Sequence, residues 1–366
     1  MASQLFTPFK LRELTLPNRV VIAPMCMYAS TDGKVGDWHV MHLGNLSHSG
    51  AGMLIIEATA VAPEGRITPL CPGLWDEACA DAWAPVLAAV RRHSRMPIAI
   101  QLAHAGRKAS CAAPWQGGQQ VSAADGGWQT VAPSPLAFAE TDALPHELDA
   151  AGLARIRESF AAATQRADRL GIDAIEIHAA HGYLLHQFLS PLTNQRSDEY
   201  GGSLENRMRF PLEVFAAMRA AWPAHKPLGM RVSATDWVDG GWDPAQTLVL
   251  AHELKARSCD FLHVSTGGLS AAQAITPVPG YQLPFARQVK AETGMTTIAV
   301  GLITEAQQAE AIVADGDADL VGLARGILWN PRWPWHAAAA LGASIDAPPQ
   351  FWRGAPAGTA GVFRRE

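Results

Sequence analysis

Ala174-Ile175-Glu176-Ile177-His178-Ala179-Ala180-His181-Gly182-Tyr183 is the stretch on which the fold is read. Ala174–Ile177 is a short, mostly apolar run, the pattern of a strand buried on both faces. Before it, Asp149–Leu170 opens on an acidic residue and carries apolar positions at helical spacing. After it, polar residues crowd a glycine. Helix, buried strand and polar turn together make one βα unit of a parallel sheet.

The same unit recurs along the chain. Strands are predicted at Val20–Ala23, Met53–Glu57, Ile98–Leu102, Ala174–Ile177, Leu228–Val232, Phe261–Val264, Thr297–Val300 and Leu320–Gly322. Eight candidates separated by helical segments favour a closed (β/α)8 barrel of the α/β class. Ser203-Leu-Glu-Asn marks the N-cap of a helix over Leu204–Trp222. Glu305–Ala314 forms another, stopped by Asp315-Gly316-Asp317. Two segments break the alternation. Phe6–Arg19, with Leu16-Pro17-Asn18, is predicted as a small hairpin across one end of the barrel. Arg107–Glu140, rich in Gly, Pro, Ala and Gln, is predicted as a long loop after the third strand, on the active face. A Pro- and Gly-rich tail begins at Ala347. No linker marks a second domain, so residues 1–366 are expected to form one barrel domain.

Composition narrows the functions available. The chain is 48% hydrophobic and 17% charged, enough apolar residue for a large core. Its net charge of −5 and lack of a basic stripe argue against nucleic acid as the main partner. Neither a signal peptide nor a run of membrane-spanning length is seen. The five cysteines are scattered, with no C-x-x-C pair, which points to a reduced, cytoplasmic setting. No metal-ligand spacing is visible, so no metal is expected.

In such barrels the reactive groups sit at the C-terminal ends of the strands. His178 and His181, three residues apart, can aim two hydrogen-bond donors at one small volume. Two donors on one oxygen would polarise a carbonyl as an oxyanion hole does. Tyr183 is close enough to act as general acid. The plainer alternatives are a structural histidine pair or half of a metal site. Arg231, amid strand residues, calls either for a buried anion or for an ion pair with Glu57 or Glu176. Gln101 offers both donor and acceptor, to a ligand or to a polar layer within the barrel. Gly301, Ala324 and Arg325 follow the last two strands, where barrels often bind phosphate. Cys26 is either a contact for a cofactor ring or a buried small residue. Tyr28 is either a substrate contact or a cover for the pocket.

Taken together these residues resemble the Old Yellow Enzyme family of FMN-dependent ene reductases. The likeness is greatest to its short bacterial, thermophilic-like branch, which includes xenobiotic reductases. It runs from Leu5-Phe6-Thr7-Pro8 to Phe351-Trp352-Arg353-Gly354. Its most specific stretch is Glu176-Ile-His-Ala-Ala-His-Gly-Tyr183, continued by Phe188-Leu-Ser-Pro191, Asn194, Arg196, Asp198, Tyr200-Gly-Gly202 and Glu205-Asn-Arg207. Pro24-Met-Cys26, Glu57-Ala-Thr59, Gly65-Arg-Ile67 and Gln101-Leu-Ala-His-Ala-Gly-Arg107 also match.

The resemblance implies FMN across the barrel mouth, contacted by Pro24, Met25, Cys26, Ala58, Gln101 and Arg231, with Gly301, Ala324 and Arg325 on its phosphate. It implies that His178 and His181 bind the activating oxygen of an enone, that Tyr183 gives the proton and that Tyr28 touches substrate. NADPH, or NADH, would supply the hydride. Arg353 resembles a residue that reaches a neighbouring subunit's site, implying a homodimer or homotetramer. The chain departs from the pattern at Ala324, where many relatives have Gly, and in the Gly- and Ala-rich stretch beyond Arg353. It also lacks the clustered cysteines and added domains of the larger iron–sulfur relatives.

Overall fold

The computed structural model describes residues 2–359 and 361–364. β1 (Phe9–Leu11) and β2 (Leu14–Leu16) form an antiparallel hairpin with Phe9 opposite Leu16. Then come β3 (Val20–Ile22), α1 (Asp37–Ser47), β4 (Met53–Ala60), α2 (Glu77–Arg91) and β5 (Ile98–Ala103). The long loop follows, with three short 3-10 turns, and its β6 (Val131–Ala132) pairs with β7 (His146–Glu147). The chain continues through α3 (Ala150–Arg169), β8 (Ala174–Ala179), α4 (Leu184–Leu189), α5 (Leu204–Ala221), β9 (Leu228–Ser233), α6 (Pro244–Ala256) and β10 (Phe261–Ser265). It ends with α7 (Leu283–Thr293), β11 (Thr296–Ala299), α8 (Ala306–Ala314), β12 (Leu320–Leu323), α9 (Arg325–Trp329) and α10 (Trp333–Ala340).

β3, β4, β5, β8, β9, β10, β11 and β12 close a barrel in that order, every neighbour parallel; Val321 opposite Val20 completes the circle. The (β/α)8 barrel expected from the sequence is therefore the fold. Side chains alternate across each strand with period two, and the packing separates accordingly. Val21, Met53, Ile55, Ala99, Phe261, Ile298 and Leu320 share an inner cluster with Leu11 and Leu16 of the hairpin. Their neighbours Val20, Ile22, Leu54, Ile98, Ile175 and Ile177 belong to an outer cluster shared with the helices. Strands buried on both faces need apolar residues on both, which is why they read as continuous runs. The hairpin plugs one end of the barrel; the polar loops lie at the other.

The helix starts follow the expected caps. Asp149 accepts from the Gly152 amide at 2.7 Å, and Ser203 from the Asn206 amide at 3.2 Å. Strand ends move by one to three residues, the most at β4, which runs on to Ala60 and not Glu57. β8 runs on to Ala179 because His178 and Ala179 still pair with Arg231 and Val232. His178 is thus a strand residue, and only His181 sits on the turn. β11 stops at Ala299, before Gly301 takes a φ of +111°. The long loop is tied down by Arg107, whose guanidinium donates to the carbonyls of Leu136, Ala137 and Leu269. In the tail, Pro349–Gly354 forms a 3-10 helix. The chain then folds back on itself, with Phe363 bridging to Ile345 and its ring 5.0 Å from that of Trp335. Among the described residues no helix is long and apolar enough to cross a membrane.

Candidate active site

The inner face changes character toward the C-terminal ends of the strands. Two residues beyond Ile55, Ala99, Ala174 and Phe261, the inward positions become Glu57, Gln101, Glu176 and His263; two further on lie His178 and Ser265. All six are buried, so each needs a partner. Glu176 satisfies two of them, accepting from Gln101 Nε2 at 2.7 Å and pairing with His263 Nδ1 at 2.6 Å. With its NH2 committed to Glu176, Gln101 has its amide oxygen free. Glu57 accepts from the Met27 amide at 2.8 Å and holds the half-buried stretch Pro24–Tyr28 against the barrel mouth. A register shift between Ile56 and Thr59 sets Glu57 and Ala58 apart from the β4–β5 ladder.

Arg231 differs from its neighbours. It is 8% exposed, its side chain makes no hydrogen bond or ion pair among the described residues, and its Nε is sealed from solvent. The ion pair with Glu57 or Glu176 that the sequence left open is not formed. An unpaired buried guanidinium costs on the order of several kcal/mol. Such a group persists where a bound anion or strong acceptor completes it.

His178, His181 and Tyr183 converge beside it. The two imidazoles are 5.2 Å apart with planes at 89°, and the Tyr183 ring lies 4.9 Å from His178 at 84°. Burial, and then the charge of Arg231, hold both histidines well below the usual imidazole range, so both are neutral. Burial pushes the Tyr183 phenol well above its ordinary value, so it keeps its proton. His181 has a φ of +58°, uncommon for a non-glycine residue. The fold holds this turn from three sides. Ser233 Oγ accepts from the His181 amide at 2.9 Å, and the His186 ring accepts from the Gly182 amide at 2.9 Å. Lys108 Nζ donates to the His181 and Gly268 carbonyls at 2.9 and 2.7 Å. A Cβ on Gly182 would come within 2.3 Å of the Gly268 oxygen, so glycine is required for this approach. Burial, with the charge of Arg107, pulls Lys108 down to about 8.

Tyr28, at a φ of +51°, edges onto Trp115. Burial, then the neighbouring Cys71 and Glu57, pushes the Cys26 thiol up, so it stays protonated. Gly301 follows β11, and Ala324 and Arg325 follow its barrel neighbour β12. Arg325 is exposed and unpaired, and the amides of Ala324, Arg325 and Gly326 have no acceptor among the described residues. Ala324, at the start of α9, has a φ of −115° and a ψ of −98°. A cavity of about 540 Å³ beside β9, bordered by Thr235, Trp237 and Trp242, includes neither histidine.

Arg353 is not brought to this rim. It is exposed on the 3-10 segment, whose Phe351 packs on His48, Trp335 and Arg332 outside the barrel. Conversely, Lys108, Ser233, Ser265 and Gln282 take part in the site without having been singled out. Lys108 follows a quoted motif, and Ser233 and Ser265 are polar residues at strand ends, a signal that could have marked them. Gln282 carries no such mark.

The donor set fits flavin mononucleotide. An orphan guanidinium and a free amide oxygen would suit the polar edge of the ring, and unpaired amides with a free arginine would suit its phosphate. A parallel barrel with this rim defines a flavin-dependent oxidoreductase. The chain belongs to the NADH:flavin oxidoreductase / NADH oxidase family, whose profile matches residues 4–343. It is 42% identical to the NADPH dehydrogenase of Geobacillus sp. (strain WCH70) over 97% of this chain and 99% of that one. It is 41% identical to the NADPH dehydrogenase of Bacillus subtilis (strain 168), over 97% and 100%. Among solved structures it is similar to morphinone reductase, with a TM-score of 0.77 and 33% identity over 96% of this chain and 93% of that one. The Old Yellow Enzyme resemblance is thereby confirmed, and the protein is an FMN-dependent enzyme fed by a reduced nicotinamide nucleotide.

Proposed function

We propose that this protein reduces the activated carbon–carbon double bond of small α,β-unsaturated carbonyl compounds, with NADPH, or NADH, as the electron source. Pro24, Met25, Cys26, Ala58, Gln101 and Arg231 would hold the ring of FMN and Gly301, Ala324 and Arg325 its phosphate; once bound, it would supply hydride transfer from the nicotinamide to the alkene. His178 and His181 hold the carbonyl oxygen of the substrate with two neutral N–H donors and so favour negative charge there. Tyr183 delivers the proton to the α-carbon, and Tyr28 lies against the substrate. The observation that carries the reading is the pair of neutral imidazoles, joined to a protonated phenol, beside an unpaired buried arginine.

We infer a homodimer or homotetramer in which Arg353 completes the neighbouring site. In support, Arg353 has no partner among the described residues, and Trp38, Met41 and Trp329 expose apolar surface, Trp329 to 92%. Five free cysteines fit a reducing cytoplasm.

Anaerobic stopped-flow on Tyr183→Phe separates the roles. Flavin bleaching by NADPH is expected to stay within about twofold of the parent, while recolouring by cyclohexenone falls by about 10²–10⁴. If both half-reactions slow alike, Tyr183 is not the proton donor.

A further inference from the structure

His181 can donate to a substrate oxygen from only one of its ring nitrogens, and the residues behind the ring decide which. Its Nε2 lies 2.8 Å from Ser265 Oγ. Ser265 is 3% exposed and sits at the end of β10. Behind it Gln282, 5% exposed, places Nε2 at 3.2 Å from Ser265 Oγ and 2.8 Å from Thr266 Oγ1. The Gln282 oxygen turns the other way, within 2.9 Å of where a Cβ on Gly301 would stand. The amide therefore offers its NH2 to the two hydroxyls, one hydrogen for each.

We propose that Gln282 and Ser265 are positioning residues that fix the tautomer of His181, so that its Nδ1–H, and not its Nε2–H, is the donor presented to the substrate oxygen. This rests on the reading of the site as a carbonyl-binding rim. The hydroxyl of Ser265 has one hydrogen. Gln282 can only donate to it, and among the described residues Ser265 Oγ has no acceptor other than His181 Nε2, so that hydrogen goes to the Nε2 lone pair and the single proton of the neutral ring sits on Nδ1. His178 is set the opposite way. Its Nδ1 accepts from the Ala180 amide at 3.2 Å, so its proton is on Nε2. Among the described residues neither His181 Nδ1 nor His178 Nε2 has a protein partner, and neither is among the sealed polar atoms. Two rings at right angles thus turn different nitrogens to one acceptor, each backed by a donor that prevents the ring from tautomerising away.

Neutron diffraction from crystals of the deuterated holoenzyme reads the proposal directly. Nuclear density for deuterium is expected on Nδ1 of His181 and on Nε2 of His178; density on Nε2 of His181 overturns it. Ser265→Ala gives a second reading, through flavin absorbance on titration with cyclohexanone, a neutral ketone that the enzyme has no double bond to reduce. Ketone affinity is expected to fall about tenfold while FMN affinity stays within about twofold. Unchanged ketone affinity overturns the relay. If deuterium lies on Nδ1 but the parent protein binds no ketone, the relay stands and the carbonyl-binding assignment of the rim fails instead.

Discussion

The two ends of the barrel interior are built on the same strands, at positions two or four residues apart, yet they solve opposite problems. At the hairpin end, Leu11, Leu16, Val21, Met53, Ile55, Phe261, Ile298 and Leu320 meet in a layer of hydrocarbon with no polar atom to satisfy. At the rim, the same strands present Glu57, Gln101, Glu176, His178, Arg231, His263 and Ser265, all buried. The lower layer gains stability from area removed from water. The upper layer gives stability up, because Arg231 Nε and His263 Nε2 are buried without partners. One strand therefore carries both fold and function, divided by position along its length, and a substitution should betray its layer by what it changes.

The widest separation is expected for Phe261→Ala. The ring fills the space left by the missing side chain of Gly229, where an added Cβ would lie within 2.4 Å of it. Its removal is expected to cost about 3–5 kcal/mol in urea unfolding of the apoprotein, the usual range for a buried phenylalanine, while FMN retained per folded molecule stays unchanged. A loss of flavin from molecules that remain folded would show that the lower layer also shapes the rim. Arg231→Leu should invert this pattern. Removing an unpaired buried charge leaves the apoprotein as stable as the parent or more so. FMN affinity is expected to fall by about 10²-fold or more, measured by flavin fluorescence on dilution. An apoprotein destabilised by Arg231→Leu would mean that the guanidinium is already compensated within the protein.

This division also explains what was legible in the sequence. Alternation of inner and outer faces made every strand of the barrel visible as an apolar run, and Asp149 and Ser203 marked helix starts that the structure keeps. The rim was legible where polar residues interrupt such a run, hence His178, Arg231 and Gln101. What escaped was the second layer of support. Lys108 reaches the carbonyls of His181 and Gly268, the latter 160 residues away, and Gln282 reaches Ser265 across 17. Those partnerships exist only once the barrel closes, since no local spacing encodes them. The predicted end of the strand at Ile177 fell short for a related reason: Arg231 and Val232 on β9 pair with His178 and Ala179 and extend the ladder by two residues, a cross-strand effect.

The smallest expected effect is also the sharpest on the electrostatics of the rim. Free imidazoles take up a proton near pH 6.5, and a charged ring at the rim would change how it holds a ketone oxygen. Here burial, followed by the charge of Arg231, lowers both His178 and His181 well below that value. Between about pH 8 and about pH 5.5, cyclohexanone affinity should therefore vary by no more than about twofold. Stability should behave differently. Below about pH 6.5 the unfolded chain binds protons at these two positions that the folded chain refuses. Native stability is then full above that pH and declines as pH falls through it. Arg231→Leu removes the larger of the charges that oppose protonation but leaves burial, the leading cause, in place, so the ketone profile should shift only slightly. A ketone titration with a midpoint near pH 6.5 in the parent protein would mean that the rings open to water far more than the barrel rim allows, and the contrast between a dry, apolar base and a dry, polar mouth would give way to one between a dry base and a wet mouth.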